Sequence, residues 1–154
     1  MILEAHVKSR STRWTVVQTT MPTIDPKLRV LLVDDFPEMR KSLRMMLSAL
    51  GVDSVLSADG GIEAIRLIEA GHVFDLIISD LNMPQMSGME LLKHVRNNHR
   101  LAHLPFLMIT AEATKPNVIM AAKAGVTDFI VKPFSVHQLT QKLAGLQLRV
   151  TPAP

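Results

Sequence analysis

Short apolar runs and longer amphipathic stretches alternate from about residue 28 to the end of the chain. Continuous apolar runs that contain many branched side chains are typical of strands buried in a parallel sheet. The intervening segments carry apolar residues at every third or fourth position, which indicates helices with one buried face. The pattern predicts strands near 28–33, 54–57, 75–79, 106–109 and 128–131, and helices that begin near 37, 61, 88, 116 and 136.

Proline and glycine mark the ends of these predicted helices. Pro37 stands at the start of the first helix, where its missing amide hydrogen is tolerated. Gly51, Gly71 and Gly125 follow the first, second and fourth helices, as expected of residues that end a helix. Five strand–helix units in succession predict an α/β fold, namely a flavodoxin-like, doubly wound five-stranded parallel sheet, (βα)5, with helices on both faces. The handedness of the crossovers limits the topology but leaves the strand order open.

The first 27 residues do not share this alternation. Basic residues outnumber the single acidic residue up to position 20, and Ser, Thr and Pro are common. We therefore predict a basic, flexible N-terminal extension at 1–27, one domain at 28–148 and a short tail at 149–154. Two alternatives remain for the extension: residues 1–20 are an over-extended gene start with Met21 as the natural one, or Trp14-Thr15-Val16-Val17 forms a short strand or docking segment.

Composition narrows the class of protein. The chain has 154 residues, 47% hydrophobic, with a formal net charge of +3, which predicts one domain with a sizeable core. The absence of Cys excludes disulfides and thiolate metal sites and fits a cytoplasmic location. The aromatic content of 4% and the lack of like-charge runs argue against nucleic-acid binding. No apolar stretch approaches the roughly 20 residues of a membrane span, so we expect no membrane insertion, and we expect a monomer.

Two predicted strands end at carboxylates, Asp34-Asp35 after the first and Asp80 after the third. The carboxyl ends of parallel strands meet at one edge of the sheet, where ligands bind in open α/β folds. Three carboxylates brought together there would repel one another unless a cation lay between them. Oxygen ligands favour Mg²⁺, so we predict a magnesium site with one carboxylate left for chemistry. The simpler alternative, in which each Asp only caps the next helix, is less favoured because two strands end alike.

Thr110 and Lys132 follow the fourth and fifth predicted strands. A hydroxyl and an ammonium can hold the oxygens of a phosphoryl group, and a carboxylate can accept that group as an aspartyl phosphate. Phosphoryl transfer depends mostly on positioning and charge neutralisation, which such a set supplies. We therefore predict phosphoryl chemistry at this edge of the sheet.

Four motifs, taken in order, resemble the receiver domain of two-component response regulators, and most closely its single-domain, CheY-like chemotaxis members. Each motif is weak alone, but all four in order at strand ends are highly specific. The resemblance covers about 28–148. The motifs are Val33-Asp34-Asp35, Ser79-Asp80-Leu81-Asn82-Met83-Pro84, Thr110-Ala111-Glu112-Ala113 and Phe129-Ile130-Val131-Lys132-Pro133-Phe134.

The resemblance assigns roles at the predicted metal site. It implies that Asp80 is the phosphoacceptor and that one Mg²⁺ binds per domain. It also implies that Asp35 ligates the metal directly, that Asp34 acts through a water, and that the backbone carbonyl of Asn82 completes the site.

The same resemblance assigns the remaining site residues. Thr110 and Lys132 would contact the phosphoryl group, and Phe129 would be the aromatic switch residue. Asn82 and Glu112 would tune hydrolysis of the acyl phosphate. The Lys132–Pro133 peptide bond is expected to be cis, and Phe129 departs from Tyr-bearing relatives because it lacks a hydroxyl.

For partners, the resemblance implies a histidine kinase as phosphodonor and a protein target, such as a flagellar motor switch component. The expected function is a stand-alone response regulator that assists its own phosphorylation and dephosphorylation and is not a turnover enzyme. The target would bind the face of the fourth helix, fifth strand and fifth helix, for which the candidates are Lys115, Val118, Met120, Phe129 and Lys142.

Two other functions use the same site chemistry. A phosphate sink would accept phosphoryl groups without engaging a target. An aspartate-nucleophile phosphohydrolase is less favoured, because such enzymes commonly need an acid two residues after the nucleophile and Asn82 stands there. Zinc binding by His94, His99 and His103 is also disfavoured, because their spacings cross a predicted helix end and Cys is absent.

Overall fold

The computed structural model describes residues 2–8, 14–20, 24–146, 148 and 150. The strands within these residues are β1 Ile2–Lys8, β2 Trp14–Thr20, β3 Val30–Val33, β4 Val55–Ala58, β5 Leu76–Asp80, β6 Phe106–Thr110 and β7 Asp128–Val131. The helices are α1 Pro37–Ala49, α2 Gly61–Glu69, α3 Gly88–Asn97, α4 Lys115–Ala124 and α5 Val136–Gly145. Each predicted strand and helix therefore has a counterpart, displaced by a few residues at most.

The central sheet has five parallel strands in the order β4-β3-β5-β6-β7. This confirms the predicted doubly wound fold and supplies the strand order that the sequence left open. The order reverses beside β3, so the carboxyl ends of β3 and β5 form the crevice where such folds place ligands. The register pairs Val33 with Ser79, which brings the next residues, Asp34 and Asp80, side by side.

Helices cover both faces of the sheet and divide the core into two clusters. Side chains alternate along each strand, so neighbouring residues enter opposite clusters. On the side of α2, α3 and α4, the strands contribute Leu31, Val33, Ile77 and Met108. On the side of α1 and α5, they contribute Val30, Leu32, Ile78 and Leu107. The central strands β3, β5 and β6 are apolar except at the carboxyl ends of β5 and β6, because both of their faces are buried.

The amino ends of β3 and β5 are joined by an ion pair. Arg29 donates from Nε and Nη2 to the two carboxylate oxygens of Asp75, each at 2.9 Å. The backbone N–H of Arg29 adds a third bond of 2.9 Å, and the Asp75 side chain is fully buried. The sequence reasoning missed this pair because its members are 46 residues apart.

An antiparallel hairpin precedes the parallel sheet. β1 pairs with β2 from Ile2 opposite Thr20 to Lys8 opposite Trp14, and the two strands form a sheet of their own. The alternative in which residues 14–17 form a short strand is therefore confirmed, and that strand extends to Thr20. The expectation that residues 2–8 and 14–20 lack a regular pattern was wrong, because apolar and polar residues alternate along 3–8 as in a strand.

The remaining boundary predictions stay predictions. The flexibility of 1–27 and the possible start at Met21 concern residues of which only 2–8, 14–20 and 24–27 are described. Of the predicted tail at 149–154, residue 150 alone lies within the described part. No helix in the described part of the chain is long and apolar enough to span a membrane.

Candidate functional site

Three carboxylates meet at the carboxyl edge of the sheet. Asp34 and Asp35 follow β3, Asp80 is the last residue of β5, and ligand oxygens from all three lie within 4.8 Å of one another. Asp34 is buried, Asp80 is half-buried and Asp35 is exposed. The cluster therefore opens to solvent on the Asp35 side, and the predicted convergence of these residues is confirmed.

Lys132 bridges two of these carboxylates. Its Nζ lies 3.2 Å from Oδ1 of Asp80 and 3.4 Å from Oδ2 of Asp34. The Lys132–Pro133 peptide bond is cis, as the resemblance implies. The backbone N–H of Lys132 also donates to the carbonyl of Thr110 at 2.8 Å, which ties the end of β7 to the end of β6.

The charges at this edge are only partly balanced. Three carboxylates face one ammonium, so full ionisation leaves two uncompensated negative charges. Burial raises the pKa of Asp80; the Lys132 ammonium opposes this shift, the negative charge of Asp34 adds to it, and the pKa stays above its ordinary value. A hard divalent cation would remove this imbalance, and the donor set consists of the oxygen ligands that Mg²⁺ prefers. The residues present therefore fit the predicted metal.

Thr110 is the last residue of β6 and is fully buried. Pairing of Asp80 with Ile109 in the sheet places Thr110 at the same edge as the carboxylates. Its Oγ1 accepts a hydrogen bond of 2.9 Å from the backbone N–H of Glu112. The hydroxyl is thus held by the loop that follows β6, and its predicted contact with a phosphoryl group stays a prediction.

Phe129 lies one strand further along the sheet, opposite Met108. It is half-buried and packs against the core cluster on the side of α2, α3 and α4. Its backbone N–H donates to the carboxylate of Asp128 at 2.7 Å. This position is compatible with a side chain that moves between solvent and core, but the switch role itself stays a prediction.

Asn82 and Glu112 are both exposed. Asn82 follows Asp80 by two residues and Glu112 follows Thr110 by two, so each belongs to a loop that leaves this edge of the sheet. Their predicted influence on hydrolysis needs access to water or to a second protein, and their exposure allows it.

The residues proposed for target binding fall into two groups. Lys115, Val118 and Met120 are exposed on α4. Phe129 and Lys142 line a surface groove of about 560 Å³ between β7 and α5. Lys142 is held there by a 2.9 Å ion pair with Asp128, a contact that the sequence did not predict.

Gly88 is a site residue whose role the sequence reasoning missed. A Cβ atom at this position would collide with the carbonyl oxygen of Asp80. The backbone N–H of Gly88 donates to the carbonyl of Leu81 at 2.8 Å, which holds the first turn of α3 against the end of β5. The Ser87-Gly88 pair was visible as a helix start, but only the three-dimensional contact shows why the second residue lacks a side chain.

Comparison with known proteins agrees with this fold and site. The profile of the family described as "Response regulator receiver domain" matches residues 30–144. The chain belongs to the response regulator receiver domain family, and it is a CheY-type receiver domain of two-component signalling.

Individual relatives cover most of the chain. It is 43% identical over 120 residues to the chemotaxis protein CheY-3 of Vibrio cholerae serotype O1, covering 78% of this chain and 92% of that protein. It is 42% identical to the chemotaxis protein CheY of Pseudomonas aeruginosa, covering 80% and 98% respectively. The solved structure of Vibrio cholerae CheY4 superimposes with a TM-score of 0.72 at 34% identity, over 77% of this chain and 98% of that one. The predicted family and fold are therefore confirmed.

Proposed function

We propose that this chain is a phosphorylation-controlled switch whose Asp80 accepts a phosphoryl group from the phosphohistidine of a histidine kinase. The observation that supports this most directly is the charge cluster in which Asp80 lies 3.2 Å from the ammonium of Lys132 and beside two further carboxylates. Membership of the receiver family implies an aspartyl phosphate, and Asp80 is the half-buried carboxylate at the end of β5.

The proposed metal site consists of the side chains of Asp35 and Asp80 and the backbone carbonyl of Asn82 as direct ligands, with Asp34 acting through a water. When bound, Mg²⁺ supplies positive charge that neutralises the carboxylates and the incoming phosphoryl oxygens. The transfer and hydrolysis of the phosphoryl group are carried out by side chains of the protein.

A carboxylate oxygen of Asp80 attacks the phosphorus of the donor, and the bond between phosphorus and the histidine nitrogen breaks. The electron pair leaves with the imidazole nitrogen, the ring takes up one proton from water, and so an acyl phosphate forms and a neutral histidine is released. Lys132 stays beside the new phosphoryl oxygens, and the Thr110 hydroxyl turns to donate to one of them. Water later hydrolyses the acyl phosphate at a rate that Asn82 and Glu112 tune.

This chemistry describes a switch that assists its own phosphorylation and dephosphorylation, and we propose that it is not a turnover enzyme. A phosphohydrolase that uses Asp80 would need an acid or base at position 82. Asn82 supplies neither.

Output is proposed to be a protein contact on the face formed by α4, β7 and α5. That face combines exposed apolar residues on α4 and β7 with lysines, and the partly buried Phe129 lies within it. Because two of the relatives are chemotaxis proteins, we propose a chemotaxis-type pathway and a target such as a flagellar motor switch component. We further propose that the chain acts in the cytoplasm as a monomer.

Phosphorylation of Asp80 is tested with Mg²⁺ and acetyl phosphate, with the covalent adduct detected by intact mass. We expect one phosphoryl group on the unmodified chain and none on Asp80→Asn. Asp53→Asn is the matched control, because Asp53 is exposed and hydrogen-bonds Ser48 away from the site. Equal labelling of Asp80→Asn and the control would contradict the proposal.

Target binding is tested by co-precipitation with flagellar switch components, with and without beryllofluoride as a phosphoryl mimic. We expect binding that increases with beryllofluoride. Labelling of Asp80 without any change in binding would favour a phosphate sink.

A further inference from the structure

The helix α4 is held to the domain by unusually few buried side chains. Of its ten residues, only Ala121 is buried. In the neighbouring helix α3, also of ten residues, five are buried. Elements with few buried apolar contacts have low local stability and can shift without disrupting the core. The contacts at the two ends of α4 therefore decide how it moves.

A chain of two hydrogen bonds joins the first turn of α4 to the phosphoryl site. The Thr110 hydroxyl accepts from the backbone N–H of Glu112 at 2.9 Å. The carbonyl of the same Glu112 accepts from the side-chain amide of Asn117 at 3.1 Å. Glu112 lies in the loop 111–114, all of whose residues are exposed. The Glu112 backbone, which joins Thr110 to Asn117, can therefore move together with either residue.

The other end of α4 is attached to rigid parts of the domain. The Arg96 guanidinium, on α3, donates to the carbonyl of Gly125 at 2.8 Å and to that of Leu104 at 2.6 Å. Gly125 ends α4 in the left-handed conformation, with a φ of 88°. The C-terminal end of the helix is therefore fixed to α3 and to the segment before β6, while its N-terminal end depends on an exposed loop.

We propose that Asn117 is a positioning residue that makes α4 follow the Thr110 hydroxyl, so that the helix pivots about its anchored end at Gly125. A hydroxyl can donate to a phosphoryl oxygen while it still accepts from the Glu112 N–H, so the loop moves with Thr110. This inference rests on the proposed function. The route does not pass through Phe129, and it therefore offers an output path that needs no hydroxyl at that position.

The test compares the full chain with Asn117→Asp by hydrogen exchange of the amides 118–124, in Mg²⁺ with and without beryllofluoride. Aspartate keeps the shape of asparagine but cannot donate to the Glu112 carbonyl. A carboxylate in the first turn is favourable for a helix, so α4 is retained. We expect the beryllofluoride-induced change in exchange to fall by about fivefold in the variant, the factor that one neutral hydrogen bond contributes to an equilibrium.

Asn98→Asp is the matched control. The Asn98 side chain acts as an acceptor for the backbone N–H of Arg100, and aspartate retains that acceptor. The control therefore makes the same chemical change while keeping the one side-chain contact described for Asn98, and its response should equal that of the unmodified chain. Asn117→Ala should behave like Asn117→Asp, which separates loss of the amide from the added charge.

Two results would overturn the inference in different ways. A full-sized exchange response in Asn117→Asp, with beryllofluoride bound at Asp80 by fluorine NMR, overturns the role of Asn117 alone. Failure of the unmodified chain to bind beryllofluoride at Asp80 overturns the proposed function, and the inference with it.

Discussion

At each end of the strand pair β3 and β5 a basic side chain lies beside carboxylates, but the two arrangements have different consequences. At the amino end, the Asp75 carboxylate accepts three hydrogen bonds of 2.9 Å from Arg29. At the carboxyl end, the Lys132 ammonium contacts Asp34 and Asp80 at 3.4 and 3.2 Å, and Asp35 adds a third carboxylate to the cluster.

The difference shows how partner geometry separates a structural charge from a functional one. Arg29 forms a two-point contact with one carboxylate, an arrangement that gives strong and directional hydrogen bonds. Lys132 is a single ammonium shared by two carboxylates, and the pKa of Asp80 is raised by burial because this partner does not compensate fully. The Arg29–Asp75 pair at the amino end therefore stabilises the fold. The carboxylate cluster at the carboxyl end lowers stability, but it can bind a cation and a phosphoryl group.

Removing the amino-end carboxylate should have the largest effect on stability. Asp75→Ala leaves the Arg29 guanidinium without this partner, and we expect the free energy of unfolding to fall by about 3 kcal/mol, since Arg29 can reach some solvent. Urea denaturation measures the change, and the exposed Asp53→Ala variant is the control. A loss no greater than that of the control would show that the pair is not structural.

Mg²⁺ should stabilise the folded chain by binding the carboxylates at the carboxyl ends of β3 and β5. At a concentration about a hundredfold above its dissociation constant, we expect Mg²⁺ to stabilise the folded chain by about 2.7 kcal/mol. Asp35→Asn should lose most of this effect, because it removes the exposed ligand. Thermal denaturation with Ca²⁺-free buffers and EDTA as reference measures it, and equal stabilisation of the variant would contradict the assigned ligand.

Neutralising Asp80 should raise stability in the absence of metal, opposite in sign to the change at Asp75. We expect Asp80→Asn to gain about 1 kcal/mol at neutral pH, because the variant removes a partly buried and incompletely compensated charge. A decrease in stability would indicate that Lys132 and Asp80 form a stabilising pair after all.

The pH dependence of this gain follows from the direction of the shift. The pKa of Asp80 is higher in the folded chain than its ordinary value of 3.8, so the folded state takes up the proton first. The stability contributed by Asp80 is present below the unfolded-state pKa and is lost as the pH rises through the folded-state pKa. The advantage of Asp80→Asn should therefore shrink on acidification from neutrality towards 3.8, as measured by denaturation at a series of pH values.

The smallest expected effect concerns backbone strain in the loop after Asp80. Gln85 has a φ of 66°, in the left-handed region that glycine adopts readily and glutamine does not. Gln85→Gly relieves the strain of the left-handed backbone, but it also increases the conformational entropy of the unfolded chain. We expect the net result to be a rise of about 0.5 kcal/mol in the free energy of unfolding. Gly51, which already has a φ of 86° at an open position, supplies the inverse control as Gly51→Ala, which should lose stability.

The hydrophobic pattern was sufficient to predict the strands and helices of the receiver domain because each central strand is apolar on both faces. It also predicted that Asp34 and Asp80 meet, since both follow strands of one parallel sheet. It could not show that Lys132 contacts Asp34 as well as Asp80, which depends on side-chain reach across neighbouring strands. The hairpin was missed because β1 alternates apolar and polar residues and β2 is rich in Thr and Gln, so neither is a continuous apolar run.

Contacts between residues far apart in the sequence could not be predicted, for a different reason. Arg29 and Asp75 look like ordinary surface charges in the sequence, and only the pairing of β3 with β5 brings them together. The bond from Asn117 to the Glu112 carbonyl likewise depends on how one exposed loop folds back on a helix start. Patterns of apolar residues carry no information on such single contacts.

Gly88 influences which of the helices beside Asp80 can move when the site is phosphorylated. Its backbone lies against the carbonyl of Asp80, and α3 is anchored by five buried residues, so α3 cannot move closer to the end of β5. We therefore expect an added phosphoryl group to displace the more weakly held neighbours of the site, which are the exposed loop 111–114 and α4. The missing side chain of Gly88 thus lets α3 pack tightly against β5 and stay in place, and phosphorylation is expected to displace α4 instead.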